Sequence, residues 1–200
     1  MPITPNAERR AHEVGEAFGS REAGPVRILS GETRRAVDTA AHLAEGVEAR
    51  GGNVVGPEVA FALRNPDLYL AGVRVNMVSS TEAFADQVDG VSADDVAVLG
   101  FFTKFIESPD RIGWWLTLDS PPGETVTAVA ARLRFFAKSL ADPVPIRSDT
   151  VVAITHSPLI RAAGLDLLGR DIGEPPWVSG LLIKVDDDGA LQAEVYEEGG

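Results

Sequence analysis

Cysteine is absent from the 200-residue sequence, and histidine and aromatic residues are scarce. Without cysteine the chain can form no disulfide, no thiolate nucleophile and no sulfur-ligated metal site. Its three histidines, His12, His42 and His156, lie too far apart in sequence for the His-x-x-x-His spacing of a common zinc site. We therefore predict no metal and no cofactor, and any histidine chemistry must depend on one of these three residues.

The sequence also has few positively charged residues and no long apolar run. The sequence has 18 Lys and Arg against 30 Asp and Glu, a formal net charge of −12, which does not suit nucleic acid or an anionic membrane. There is no apolar run of the roughly 18 residues that a membrane span needs and no apolar region of a signal peptide. These absences predict a soluble, cytoplasmic protein with no nucleic-acid and no membrane partner.

What the sequence does contain is an alternation of helical and strand-like segments. Apolar residues recur at helical spacing in residues 5–19, 31–52 and 125–141, whereas short apolar runs occupy residues 25–30 and 150–155. The second run is uninterrupted, a pattern typical of a strand buried on both faces of a parallel sheet. Strands followed by helices in this order predict an α/β fold.

The end and the middle of the sequence complete the predicted architecture. Residues 180–198 contain two strand patterns around an Asp188-Gly189 turn, which indicates an antiparallel hairpin. Residues 65–120 have weaker patterns, and we interpret them as a cap or insertion-like segment. We predict a three-layer α/β/α sandwich with a mostly parallel central sheet and a C-terminal antiparallel hairpin, in a single domain over residues 1–200.

Polar side chains follow two of the predicted strands. In open α/β sheets, ligands bind beyond the carboxyl ends of the strands, beside helix N-termini with unpaired amides. Arginine offers a planar fork of donors that matches phosphate, and histidine can hydrogen-bond or protonate its oxygens. The polar residues at these strand ends are Ser30, Arg35, Thr155, His156 and Ser157. Together they predict a phosphate-binding site.

Four segments resemble motifs of the histidine phosphatase superfamily, the phosphoglycerate mutase-like family. Residues 30–40, SGETRRAVDTA, resemble its Ser-Ser-Pro-Leu-x-Arg-Ala-x-x-Thr-Ala pattern, and residues 122–125 resemble its Pro-Gly-Glu-Ser helix start. Residues 155–162 resemble its Thr-His-Gly-Gly-x-x-Arg-Ala strand end, and residues 3–19 are similar to its Leu-Thr-x-x-Gly-x-x-Gln-Ala-x-x-Leu-Gly helix. The four motifs occur in the family's order and extend over most of the chain.

The resemblance implies a phosphomonoester hydrolase that works through a phosphohistidine. It makes His156 the family's second histidine, which stays close to the phosphate, and Arg35 a phosphate-pocket arginine. The acid that protonates the leaving group would come from the middle segment, where Asp67 is our candidate. Other residues considered for that position are Asn65, Glu58 and Glu82. The predicted catalytic residues are thus His156, Arg35 and Asp67, and the predicted ligand-binding residues are Ser30, Arg35, Thr155, His156 and Ser157.

The sequence departs from the family at the first motif. The family's nucleophilic histidine belongs to an Arg-His-Gly triplet at the end of the first strand, and this sequence contains no such triplet. We interpret His12 and His42 as surface histidines of helices. Three explanations stay open: a shortened phosphatase, a non-catalytic protein that binds a phospho-ligand or a protein, and an enzyme with a different chemistry.

The ligand predicted for this chain is phosphate-like. We expect a small phosphorylated molecule or phosphate as ligand, with weak or no turnover by the chain as given. The prediction allows one protein partner, a second copy of the chain, which would form a homodimer. A strand removed from the interior of a parallel sheet would expose backbone groups, so we expect the sheet to repack or to borrow a strand.

Two further interpretations concern residues near His156 and in the middle segment. A serine hydrolase triad built on Ser157 is excluded, because the glycines of a nucleophile elbow are missing and no histidine lies downstream. Arg161, in the helix after His156, is expected to pair with a carboxylate. Trp114 and Trp115 are expected to be packing aromatics.

Overall fold

The computed structural model describes residues 3–145, 148–186 and 188–196. Its helices are α1 (Pro5–Arg21), α2 (Arg34–Ala49), α3 (Thr81–Ala85), α4 (Ala93–Ala97), α5 (Gly100–Glu107), α6 (Arg111–Leu116), α7 (Val126–Leu140) and α8 (Ser157–Leu168). Its strands are β1 (Val26–Ser30), β2 (Val54–Val59), β3 (Leu68–Leu70), β4 (Val73–Val75), β5 (Thr150–Ile154), β6 (Gly180–Val185) and β7 (Leu191–Tyr196). A 3-10 turn, Phe61–Leu63, follows β2.

Three parallel strands form the central sheet, in the order β2-β1-β5. The β1–β5 pairing is continuous, from Val26 opposite Thr150 to Ser30 opposite Ile154. Because the strands are parallel and in register, the residues that follow Ser30 lie beside those that follow Ile154. The carboxyl edge of this strand pair is therefore where the two polar segments meet.

Helices α1 and α2 cover one face of this sheet. Side chains such as Val14 of α1 and Leu43 of α2 are buried with Ile28 of β1 in one apolar cluster. The two helices approach closely, and a Cβ on Gly46 would overlap the carbonyl oxygen of His12. Only glycine at position 46 permits this distance between the two backbones.

The middle segment, residues 65–120, contains the β3–β4 hairpin and helices α3 to α6. Two of its aromatic side chains, Phe84 and Trp115, are fully buried and share an apolar cluster with Leu159 of α8. Trp114 packs on Phe101, with ring centroids 5.4 Å apart. Both tryptophans therefore pack as expected, whereas the role of this segment as a cap stays a prediction.

The C-terminal hairpin forms as predicted, with Gly180 of β6 opposite Tyr196 of β7. It is a separate two-stranded sheet, so among the described strands β5 pairs only with β1. No residue of β5 is fully buried. The expectation of a strand buried on both faces is therefore wrong, because an uninterrupted apolar run does not distinguish a central strand from an edge strand.

The α/β class, the parallel central sheet and the C-terminal antiparallel hairpin are thus confirmed. Helices α7 and α8 pack against each other and against the hairpin. Within the described ranges, no helix combines the length and the apolar character that crossing a membrane requires.

Candidate functional site

Two loops meet at the carboxyl edge of β1 and β5. The Gly31 amide donates to the Ile154 carbonyl oxygen at 2.9 Å, which extends the strand pairing by one residue. Thr33 Oγ1 and His156 Nε2 then share a hydrogen bond of 2.8 Å. This bond joins two residues that are 123 positions apart in the sequence. The structure therefore brings the two predicted polar segments together.

Thr33 and His156 are each the N-cap residue of a helix. Thr33 precedes α2 and His156 precedes α8, yet neither side chain caps its own helix. Because the two side chains hydrogen-bond to each other, the first amides of both helices are left without a side-chain cap. Two positive helix ends are thus brought to one place, an arrangement that favours an anion.

The His156 ring is held in its neutral form. Burial penalises the charged imidazolium and the Arg35 guanidinium repels it, and together they lower the pKa of His156 from 6.5 to about 4. A neutral imidazole has one donor and one acceptor nitrogen. At neutral pH His156 is therefore uncharged, and it can contribute a hydrogen bond but no positive charge to the binding of an anion.

Arg35 provides a positive charge that acts on the His156 site. It is exposed in the first turn of α2, and its charge acts on the His156 ring. Across residues 3–145, 148–186 and 188–196, no carboxylate lies within ion-pair distance of Arg35, whereas its neighbour Arg34 pairs with Asp38 at 3.7 Å. The Arg35 guanidinium is accordingly available to an anionic ligand.

Ser30 and Thr155, two predicted ligand residues, hold a loop against the site. The Ala60 amide donates to the carbonyl oxygen of the buried Ser30 at 2.8 Å. The Thr155 hydroxyl donates to the carbonyl oxygen of Leu63 at 2.8 Å. The 3-10 turn after β2 therefore forms one wall of the site.

Ser157 lies at the start of α8 and contacts a different part of the chain. Its hydroxyl donates to Glu174 Oε2 at 2.6 Å. This bond uses the hydroxyl proton within the protein, so Ser157 can serve a ligand chiefly through its backbone amide in the first turn of α8.

Asp67 belongs to a charged cluster behind the turn. Arg64 donates to both of its carboxylate oxygens, at 2.7 and 3.1 Å, and Arg74 lies 3.6 Å away. The hydrogen bonds from Arg64, reinforced by the arginine charges, lower the pKa of Asp67. An ionised Asp67 accepts hydrogen bonds and carries no proton for a leaving group, so these surroundings favour a positioning role.

The helix-start motif at residues 122–125 contributes to the same cluster. Glu124 accepts from the Asp67 amide at 2.8 Å and from Arg132 at 3.0 Å. Arg132 in turn donates to the Ala62 carbonyl oxygen at 2.6 Å. Glu124 and Arg132 thus fix the loop that forms the wall of the site.

Comparison with known proteins identifies the fold through solved structures. No protein-family model matches the chain, and no curated protein matches it. A solved structure described as Mycobacterial hydrolase 2 matches with a TM-score of 0.52 and 22% identity, over 94% of this chain and 75% of that one. The chain has a phosphoglycerate mutase-like fold.

A second solved structure, of the Mycobacterium tuberculosis open reading frame Rv3214, has a similar fold. It matches with a TM-score of 0.52 and 21% identity, over 98% of this chain and 83% of that one. In this phosphoglycerate mutase-like fold the other two histidines lie on α1 and α2. His42 pairs with Glu45 of its own helix at 3.0 Å, and the structure gives no hydrogen bond from His12 to the described site residues.

Beside the site, Arg161 joins separate segments of the phosphoglycerate mutase-like fold through ion pairs. Its side chain is 1% exposed, and it donates to both oxygens of Asp110 at 2.7 Å and to Asp171 at 2.9 Å. The expected pairing of Arg161 with a carboxylate is confirmed. The hydrogen bonds from Arg161 lower the pKa of Asp110 to about 2.

The sequence assigned no site role to four residues, Thr33, Arg64, Glu124 and Arg132, although Thr33 and Glu124 lie within two of the matched motifs. The only local signals were a threonine just before a helical pattern and an acid eight residues before an arginine. Neither indicates contacts with residues that are distant in sequence.

Proposed function

We propose that this protein binds the phosphoryl group of a small phosphomonoester and is a hydrolase of the histidine phosphatase type. One observation carries the proposal: Arg35, His156 and the N-termini of α2 and α8 converge at one edge of the sheet. Each of these groups can donate a hydrogen bond to an anion at neutral pH, which is what binding of a phosphoryl group requires.

The net negative charge of the whole chain strengthens the argument for a local anion site. With a net charge of −12, the protein repels anions at long range, so an anion binds only where donors are concentrated. Arg35 would neutralise the phosphoryl oxygens, and His156 would hydrogen-bond one of them. The first amides of α2 and the amide of Ser157 would complete the pocket. The next residue of α8, Pro158, has no N–H, and the Leu159 amide donates to the His156 carbonyl oxygen.

Catalysis of the histidine phosphatase type also needs a histidine that takes the phosphoryl group. His12 and His42 lie on the α1–α2 pair, away from the Thr33–His156 contact, and His42 is engaged by Glu45. We therefore expect the 200-residue chain to turn over phosphomonoesters weakly or not at all. Asp67, ionised by Arg64, is assigned a positioning role in this proposal.

A second candidate function is a non-catalytic protein that binds a phospho-ligand. It is favoured by the positions of the other two histidines on α1 and α2, because the described residues then place no second histidine beside His156. A further strand could join this sheet only at the outer edges of β2 or β5.

Titration of inorganic phosphate by calorimetry tests the binding step. Removing a charged hydrogen-bond donor costs about 1.5 to 3 kcal/mol, so Arg35→Ala should weaken phosphate binding roughly ten- to a hundred-fold. Arg34→Ala, at the adjacent position and paired with Asp38, is the matched control and should change the affinity less than threefold. Equal effects of the two variants would contradict the proposed pocket.

A phosphatase assay with phenyl phosphate separates the two candidate functions. Turnover by the wild-type chain that disappears in His156→Ala supports the hydrolase. Phosphate binding without turnover supports the non-catalytic protein. Wild-type protein that neither binds phosphate nor hydrolyses the ester would overturn both.

A further inference from the structure

An exposed aromatic ring lies at the rim of the proposed phosphate site. Phe61, the first residue of the 3-10 turn after β2, is 59% exposed. Its ring centroid is 4.1 Å from the guanidinium carbon of Arg64 and 5.8 Å from that of Arg74. Arg74 also pairs with Glu32, the residue before Thr33. The ring therefore lies next to the loop that contacts His156.

The backbone beneath this ring is fixed on both sides by the site itself. The Ala60 amide donates to the Ser30 carbonyl oxygen at 2.8 Å. The Leu63 carbonyl oxygen accepts from the Thr155 hydroxyl at 2.8 Å. Phe61 is thus held on a turn that is attached to two predicted ligand residues, so its exposure does not come from an unattached loop.

Arginines add two further restraints to the same turn. Arg64 donates to the Phe61 carbonyl oxygen at 3.3 Å, and Arg132 donates to the Ala62 carbonyl oxygen at 2.6 Å. A large apolar ring that is both exposed and restrained loses little conformational freedom when a partner packs on it. Such a ring is a suitable platform for the organic part of a ligand.

We infer that Phe61 selects the alcohol part of the phosphomonoester, and that the preferred ligands are esters of aromatic alcohols. The inference rests on the proposed function, because it requires the phosphoryl group to lie at Arg35 and His156. An aromatic alcohol attached to that phosphoryl group can stack on the exposed part of the Phe61 ring. A polar alcohol of similar size gains nothing there, because the ring offers it no hydrogen bond.

Calorimetry with three probes tests this inference: inorganic phosphate, glycerol phosphate and phenyl phosphate. Wild-type protein should bind phenyl phosphate more tightly than glycerol phosphate. Ring pairs of this kind contribute roughly three- to ten-fold in affinity, so Phe61→Ala should weaken phenyl phosphate by that factor. The same variant should reduce the preference for phenyl phosphate over glycerol phosphate to less than twofold.

The controls separate stacking from damage to the turn. Phe135→Ala removes another exposed phenylalanine, 70% exposed on α7, and should leave all three affinities unchanged. Phe61→Leu keeps an apolar side chain without a ring and should give an intermediate preference. Circular dichroism of each variant verifies that the fold is retained.

Three outcomes would overturn the inference. The first is equal binding of the two esters by the wild type, which leaves the proposed phosphate site intact if inorganic phosphate binds. The second is a loss in Phe61→Ala that is the same for all three probes. The third is wild-type protein that binds none of the probes, which overturns the proposed function as well.

Discussion

The imidazole of His156 shows how strongly its neighbours determine the chemistry of a single residue. Thr33 holds one ring nitrogen at 2.8 Å, and burial together with the Arg35 charge lowers the pKa of the ring to about 4. The neutral ring can still hydrogen-bond a phosphoryl oxygen, because an uncharged imidazole has one donor nitrogen. The same shift makes the stability of the protein depend on pH.

The sign of that dependence follows from the direction of the shift. Between pH 6.5 and 4 the unfolded chain binds a proton at His156 and the folded chain does not, so stability falls as the pH falls through this window. Wild-type protein should lose up to about 3 kcal/mol more than His156→Asn between pH 7 and 4. Urea unfolding of both proteins at pH 7, 5.5 and 4 measures the difference, and parallel losses would contradict the low pKa.

Some of these residues could be predicted from the sequence and others could not. Arg35 and His156 directly follow strand patterns, and the ends of parallel strands converge in any open α/β sheet. The contact between Thr33 and His156 depends on the register of β1 with β5, which is encoded in no local pattern. The position of Asp67 in the sequence predicts an acid, but its ionisation depends on a hydrogen bond from Arg64.

At the scale of elements, α1 packs on α2, and this helix pair covers one face of the sheet whose edge carries the site. Gly15 and Gly46 face the opposite helix, where a Cβ on Gly46 would overlap the His12 carbonyl oxygen. Helical periodicity predicted both helices and their apolar faces. It could not predict how closely the helices approach, because that distance depends on which residue of one helix lies opposite each glycine of the other.

We predict that Gly46→Ala lowers the free energy of unfolding by about 1 to 3 kcal/mol, since the added methyl group must push the two helices apart. Gly24→Ala is the matched control, because no atom lies within 4 Å of a Cβ at that position, and it should change stability by less than about 0.5 kcal/mol. Urea unfolding measures both variants. A neutral Gly46→Ala would mean that the helix pair is looser than described.

On the scale of the whole molecule, Arg161 connects three parts of the chain. From α8 its buried guanidinium binds Asp110 at the start of α6 and Asp171 in the loop before the hairpin. The sequence predicted a carboxylate partner but not which one, because residues 65–120 have weak patterns and short helices. The position of that segment is determined by a shared core and by this ion cluster.

Loss of this connection should destabilise the protein more than loss of an ordinary surface charge. Arg161→Ala removes hydrogen bonds to two carboxylates and leaves a cavity, for which we expect a loss of about 2 to 4 kcal/mol. Arg170→Ala, an exposed arginine just after the same helix, should cost less than about 0.5 kcal/mol. Thermal and urea unfolding at pH 7 compare them, and similar losses would refute the anchoring role.

The separation of 123 residues between Thr33 and His156 also has a consequence for the order of folding. Their contact requires β1 to pair with β5, and closing a loop of that length is entropically expensive and slow compared with forming the α1–α2 pair. The anion pocket therefore does not exist in any partly folded species that lacks this strand pair. During refolding, the ability to capture phosphate should appear only with the final long-range closure of the chain, which would make the ligand a kinetic reporter of that step.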